Sequence, residues 1–437
     1  MLNSRRDFCK SFRGLLPATK APGAVSGYAD VGIPSPNVCA LLWNAAWVAA
    51  KKPRRRVTMA NQIPTDEFRQ RLKNVREAML RQDLHALVVY SQKRSPVTYF
   101  SGYHPNYHTN SALMLITAEC DPILWIKFAF DLPRAKAKSW LEDVRACAGE
   151  DVGEVIGKCA DEIRALKLEA SRIGLVGTDL AVDELSFTFR EQMCRQLPKA
   201  QFVPASNIVN DLRLIKSPNE IALLRQCAQV AEVGVDSLRK AIRPGIKDYQ
   251  ATLAAEHAVK LEGADQCDFF ISTDPALRAF PPSGHEFKTP SSVTFEITVR
   301  YAGYWVQICR VFSLGKPTKE QTLVFEVARD AYQAEVRAAR PGASLAQVAE
   351  AAQGVITAGG FKDCTPYGLG HGIGLDIPEL YPVDKGCTSR LAPGIIIILH
   401  PSIWAPNEGA VYFGGPVAVT DHGALQLDNP VSEIIEI

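Results

Sequence analysis

Gly368-Leu369-Gly370-His371-Gly372-Ile373-Gly374-Leu375 is the stretch on which the reading of this chain turns. A histidine held in a glycine-rich loop is more often functional than packed. Upstream lie a helical pattern Leu323 to Ala339, the breaker Arg340-Pro341-Gly342, a second helix Ser344 to Ala358 and the turn Gly359-Gly360. About a hundred residues earlier the same order occurs. There a helix Glu220 to Ile242 is followed by Arg243-Pro244-Gly245, a helix from near Asp248, a turn at Gly263 and an apolar strand Asp268 to Ser272. Recurrence of helix, Arg-Pro-Gly, helix and glycine turn predicts an internally duplicated αβ unit whose halves enclose a pocket.

The start of this unit is marked by Ser217-Pro218-Asn219-Glu220. Serine at the N-cap, proline at the first helical position and glutamate at the third satisfy orphan amides and set φ for the helix. Residues 211–437 are therefore expected to form one domain. Before it, Phe68, Leu72, Val75, Met79 and Leu80 fall at helical spacing. Ala86 to Tyr90, Val97 to Gly102, Ala112 to Ile116, Pro122 to Ile126 and Ile173 to Gly177 read as short buried strands bounded by turn residues. Helix and strand in alternation predict an α/β domain over 59–210.

Residues 1–58 read differently. They hold a Pro/Gly/Ala-rich section Pro17 to Pro36, an apolar run Cys39 to Ala50 and a basic cluster Lys51 to Arg56. The apolar run is short of the roughly 20 residues a membrane helix needs. Ser4-Arg5-Arg6-Asp7-Phe8 matches a twin-arginine export pattern, but Arg13 and Lys20 interrupt the apolar segment that should follow. We expect an unstructured upstream extension of the reading frame, with Met59 as the start.

With 437 residues, 47% hydrophobic, 22% charged and a formal net charge of +2, the chain lacks both the polarity of a disordered protein and the basic excess of a nucleic-acid binder. A small-molecule substrate is expected, with neither nucleic acid nor membrane as partner. The 11 cysteines include no C-x-x-C pair, so a zinc knuckle or a disulfide framework is not indicated and a reducing cytoplasm fits.

Residues Phe68 to Ile126, notably Tyr99-Phe100-Ser101-Gly102-Tyr103, resemble the creatinase-type N-terminal domain. Arg213 to Ile437 resemble the pita-bread catalytic domain shared by creatinase, prolidase and aminopeptidase P. The motifs that carry the resemblance are Arg213-Leu214-Ile215-Lys216-Ser217-Pro218-Asn219-Glu220, Tyr301-Ala302-Gly303-Tyr304 with Arg310, the glycine-rich loop around His371, and Pro393-Gly394 before an apolar strand. The implied fold class is an α/β creatinase-like N-terminal domain followed by a duplicated α+β pita-bread domain.

The resemblance also implies a site of two divalent cations held by four carboxylates and one histidine. On the family motif Glu296 takes the first aspartate position, Gln307 the second, His371 the histidine, His400 the first glutamate and Gly414 the second. One carboxylate remains where the family has four. Close-set divalent ions need anionic ligands, so no metal and no other cofactor is expected. A second family histidine is Pro378 here, although Glu379 beside it is kept; an upstream one is missing, with His285 a candidate if the loop has shortened.

Creatinase and ectoine hydrolase imply that such a pocket also opens C–N bonds without metal. That chemistry needs a base for water, an oxyanion donor and an acid for the leaving nitrogen. His371 and His400 suit the proton transfers. Glu296 would orient an imidazole or bind a cationic group, while Gln307 and Arg310 are donors and Glu379 a further candidate. Tyr304 and His285 are candidate pocket residues. The resemblance implies a homodimer in which Tyr103, Tyr107 and His108, in an aromatic segment of the N-terminal domain, cover the partner's pocket. Three readings stay open: a metal-independent amide, amidine or ureido hydrolase; an Xaa-Pro dipeptidase or aminopeptidase-like enzyme with one ion on Glu296, His371 and His400; and a silent binding module.

Overall fold

The computed structural model describes residues 63–92, 95–105, 110–147, 151–177, 185–272, 279–379, 382–405, 409–429 and 431–437. The expectations for residues 1–58, for Met59 as start, and for Tyr107 and His108 lie outside them. Among the described residues no helix is long and apolar enough to cross a membrane.

The N-terminal part opens with α1 (Thr65–Arg81), whose apolar stripe Phe68, Leu72, Val75 and Met79 is buried. Six strands follow, β1 (Ala86–Ser91), β2 (Ala112–Thr117), β3 (Ile123–Ile126), β4 (Val144–Ala146), β5 (Arg172–Val176) and β6 (Gln201–Pro204), in one mixed sheet of order β4-β3-β2-β1-β5-β6. β1 is buried at every position, as its unbroken apolar run requires. Val97 to Gly102, expected as a strand, is instead the helix α2 (Pro96–Ser101). Pro96 sits in its first turn with φ preset for helix, and Gly102 closes it with φ 78°, a conformation that side chains disfavour.

Helices α3 (Leu132–Lys138), α4 (Val152–Ala165), α5 (Phe187–Gln196) and α6 (Ser206–Leu214) complete this part. The boundary expected at 210/211 falls inside α6. The capping box predicted at Ser217 is present: its hydroxyl accepts from the Glu220 amide, and Glu220 accepts from the Ser217 amide at 2.9 Å. It starts α7 (Pro218–Ala241), which leads to α8 (Asp248–Leu261) and β7 (Gln266–Ser272), β8 (Ser291–Tyr301) and β9 (Tyr304–Leu314).

The second half repeats the order. α9 (Lys319–Ala338) starts one turn earlier than expected, because Thr318 and Gln321 form a second capping box. It is followed by α10 (Leu345–Ala358), capped by Ser344. The remaining strands are β10 (Gly370–Gly372), β11 (Ile396–Leu399), β12 (Ser402–Ala405), β13 (Gly409–Tyr412), β14 (Gly415–Thr420), β15 (Gly423–Gln426) and β16 (Ile435–Glu436). Their sheets run β16-β9-β8-β7 and β10-β11-β14-β15, with β12-β13 as a hairpin. A bridge from Cys309 to Gly414 ties the two halves together. This is an α/β domain followed by a domain of mixed α and β structure built from two similar halves.

Candidate active site

The β8–β9 register pairs Glu296 with Cys309 and Thr298 with Gln307. Side chains alternate along a strand, so Glu296, Thr298, Gln307 and Cys309 share one face while Phe295 and Arg310 share the other. On the first face the Glu296 carboxylate accepts from Thr298 Oγ1 at 2.9 Å and from Gln307 Nε2 at 2.8 Å. A third donor is the phenol of Tyr412, brought over this face because its amide donates to Thr294 Oγ1 at 2.8 Å. Burial raises the pKa of Glu296, and the hydrogen bonds partly offset it.

His371 lies on β10 opposite Ile398, and His400 follows β11 directly, its amide donating to the Leu369 carbonyl at 3.0 Å. The sheet thereby brings the two imidazoles together, with ring centroids 5.2 Å apart, and puts the Tyr412 ring 5.0 Å from His400. Nδ1 of His371 lies 2.9 Å from the Gly372 carbonyl, which can only accept, so Nδ1 carries the proton and Nε2 the lone pair. Burial lowers the pKa of His371 and pushes His400 down to about 3, with His371 adding to the second shift. Both imidazoles are neutral at pH 7. His400 is 4% exposed, and neither ring nitrogen has a hydrogen-bond partner among the described residues. The same is true of Gln307 Oε1 and Ser402 Oγ.

The other candidates are placed differently. Arg310, on the far face from Glu296, donates to Asp428 at 2.7 Å, Glu232 at 2.9 Å and the Gly414 carbonyl at 2.9 Å. It is a tie between α7, β9 and the C-terminal segment rather than an oxyanion donor. The two oxygens of Glu379 are taken by Arg213, at 2.5 Å, and by Lys216. The Tyr304 phenol is buried against Glu220 at 3.0 Å. Tyr103, expected at a pocket wall, has no exposed surface, and its hydroxyl donates to Asp131 at 2.6 Å, so it belongs to the core of its own domain. His285 is exposed and pairs with Ser283 Oγ at 2.8 Å. Tyr412 and Ser402 are the residues the sequence reading missed. Strand alternation held a signal for the first, since Tyr412 stands two positions before Gly414, the residue on a family ligand position.

The donors present do not fit a metal pair. Glu296 is the one carboxylate at the five positions, and Tyr412 already engages it. At Gly414 the backbone, with φ 150°, has closed so that an added Cβ would stand 2.0 Å from the Leu399 carbonyl oxygen. A ligand side chain has no room there. Nor is a single ion accommodated: among the described residues no three His, Cys, Asp or Glu side chains stand close enough to hold one.

Comparison with known proteins gives two family matches, the Creatinase/Prolidase N-terminal domain over residues 71–215 and Metallopeptidase family M24 over residues 222–421. The chain is 26% identical to an Xaa-Pro dipeptidase of Lactobacillus helveticus over 349 residues, 78% of this chain and 92% of that protein. It is 22% identical to an Xaa-Pro dipeptidase of Pyrococcus horikoshii, covering 85% of this chain and 100% of the relative. Among solved structures, the prolidase from Pyrococcus horikoshii superposes with a TM-score of 0.74 at 22% identity, covering 84% of this chain and 100% of that one. An X-Pro aminopeptidase from Thermotoga maritima gives 0.75 at 19% identity, over 84% and 99% of the two chains.

Proposed function

Because the chain belongs to the pita-bread family that unites creatinase, prolidase and aminopeptidase P, we propose that it is a dipeptidase-like hydrolase that opens the amide C–N bond of a short peptide with its own side chains. The relatives are Xaa-Pro dipeptidases, which favours a peptide over the amidine or ureido compounds considered from the sequence. The reading rests on His400. A buried ring nitrogen with no partner at hydrogen-bond distance among the described residues costs on the order of 1–3 kcal/mol, a cost that a bound water or substrate amide removes.

In this reading His371 accepts a proton from water at Nε2 as the water oxygen bonds to the peptide carbonyl carbon. The C–N bond breaks as that proton passes to the leaving nitrogen through His400, which takes one proton at one ring nitrogen as it gives one from the other, so both imidazoles end neutral. Gln307 gives its Nε2 to Glu296, so its unpaired Oε1 and the Glu296 carboxylate form two neighbouring acceptors. That pair suits the ammonium of a free peptide amino terminus. A homodimer is part of the proposal, on the family resemblance, and light scattering tests it.

The function is tested by a hydrolysis screen of dipeptides, Xaa-Pro included, beside ureido and amidino compounds, with and without chelator. Peptide cleavage insensitive to chelator is expected. Cleavage of the ureido or amidino compounds alone would replace the peptide reading. Turnover of none of them would favour a second reading, a silent peptide-binding domain, which the capture of Glu296 by Tyr412 supports.

A further inference from the structure

A cavity of about 340 Å³ opens between the N-terminal domain and the tip of the β8–β9 hairpin, and none of its walls belongs to the imidazole cluster. Its size lies at the small end of metabolite pockets. One wall is apolar and flat: Phe68 and Trp140 lie nearly parallel, 12° between planes and 6.4 Å between centroids, with Leu223 and Leu375 among the other lining residues. Trp140 is fixed in place because its indole N–H donates to the Phe100 carbonyl at 2.7 Å.

The charges in the walls are mostly spoken for. Arg71 pairs with Glu67 at 2.5 Å and Glu220 at 3.4 Å, and Arg134 with Asp131 at 2.6 Å. Asp265 accepts from the Gly303 amide at 2.8 Å and faces the Arg300 guanidinium at 3.9 Å. His104 accepts at Nε2 from Arg300 at 2.7 Å, so it is a neutral imidazole and adds no charge. Lys138, exposed, is the remaining cation, and it makes no ion pair among the described residues. A flat apolar wall beside one uncommitted ammonium matches a flat apolar body that carries one negative charge.

We propose that this cavity binds a small aromatic carboxylate, its ring against Phe68 and Trp140 and its carboxylate at Lys138. The inference is independent of the hydrolase reading, because it needs neither His371 nor turnover. Both strands of the hairpin at the cavity carry site residues, Glu296 on β8 and Gln307 on β9, so an occupant would brace the scaffold of that site against the N-terminal domain.

The test is calorimetric titration of the full chain with three probes: indole-3-acetate, its neutral isostere indole-3-acetamide, and inorganic phosphate. Indole-3-acetate should bind with a Kd below about 1 mM, the weak end of enzyme–metabolite affinities. The amide should bind about threefold more weakly, the scale of an exposed ion pair, and phosphate more weakly still. Lys138→Glu should weaken the acid and leave the amide unchanged. Ala137→Trp, an exposed lining position that a large ring would fill, should abolish binding of both. Both sites are at the surface of α3, so both variants should keep the fold. Equal binding of acid and amide, phosphate binding as tight as indole-3-acetate, unchanged affinity in Ala137→Trp, or no binding of indole-3-acetate would each overturn the proposal.

Discussion

The phenol of Tyr412 donates to the buried carboxylate of Glu296, on the strand face that also carries Gln307. Three neutral donors thus surround the one carboxylate left at the family's ligand positions. A neutral phenol brings no charge to offset that of a cation, but its O–H can stabilise a carboxylate in a place water does not reach. The substitutions are mutually consistent: a neutral amide at 307, an imidazole at 400 beside the retained His371, and a closed backbone at 414, with the Tyr412 phenol on Glu296.

Tyr412→Phe should therefore destabilise the fold, by about 1–3 kcal/mol, because it removes one donor from a buried carboxylate. Burial already raises the pKa of Glu296, and loss of this hydrogen bond raises it further. A carboxyl whose folded pKa exceeds its unfolded value weakens the fold as pH climbs past the unfolded value of about 4.3. The loss should then be larger at pH 8 than at pH 5, as read by urea unfolding at the two values. A loss independent of pH would detach Tyr412 from Glu296.

The protein as purified should carry less than one equivalent of manganese, cobalt or zinc by plasma emission spectroscopy. Gly414→Glu, which returns a family carboxylate, should not raise that figure. Its Cβ would meet the Leu399 carbonyl oxygen at 2.0 Å, so the expected result is a large drop in Tm and no metal gained. Two equivalents in the wild-type protein would overturn the donor argument.

Glu335, on α9, has no exposed surface, and neither carboxylate oxygen has a partner among the described residues. Burial alone drives its pKa well above the ordinary carboxylate range. A group of this kind is neutral when folded and subtracts stability as pH rises above its unfolded pKa. Glu335→Gln should stabilise the protein by about 1–3 kcal/mol at pH 8 and have little effect at pH 4. Thermal melts at both values check the sign, and a destabilised variant at pH 8 would mean that the charged form is held by a partner.

Local signals are legible in the sequence. Ser217 to Glu220 announces its helix because the capping box is complete within four residues. Val97 to Gly102 misleads because a short segment with β-branched and aromatic residues at Val97, Thr98, Tyr99 and Phe100 suits a buried strand as well as a buried helix, and only Pro96 and Gly102 decide. The approach of His371 to His400 follows from family spacing. The role of Tyr412 does not, since it needs Thr294, 118 residues away, to draw its strand over Glu296. Arg310 reads as a catalytic cation for the same reason: nothing near it in sequence reveals Asp428, its partner 118 residues on.

The last prediction separates the two imidazoles. His371 is partly exposed, with Nδ1 fixed on a carbonyl and Nε2 left as a base, whereas His400 is buried and neither of its nitrogens has a hydrogen-bond partner among the described residues. On a peptide that the enzyme cleaves, His371→Ala should lower kcat by about 10²-fold or more with little change in KM, the scale of a lost general base. The fold should survive, as circular dichroism will show. His400→Ala should lower kcat and also change the acid limb of stability. A histidine whose folded pKa is depressed to about 3 takes up its proton more readily when unfolded, so it removes stability as pH falls from about 6.5 towards 3. The His400→Ala protein should accordingly lose less stability than wild type between pH 7 and pH 4. Folded His371→Ala with unchanged kcat would take that imidazole out of the mechanism and leave the silent binding domain as the better account of the site.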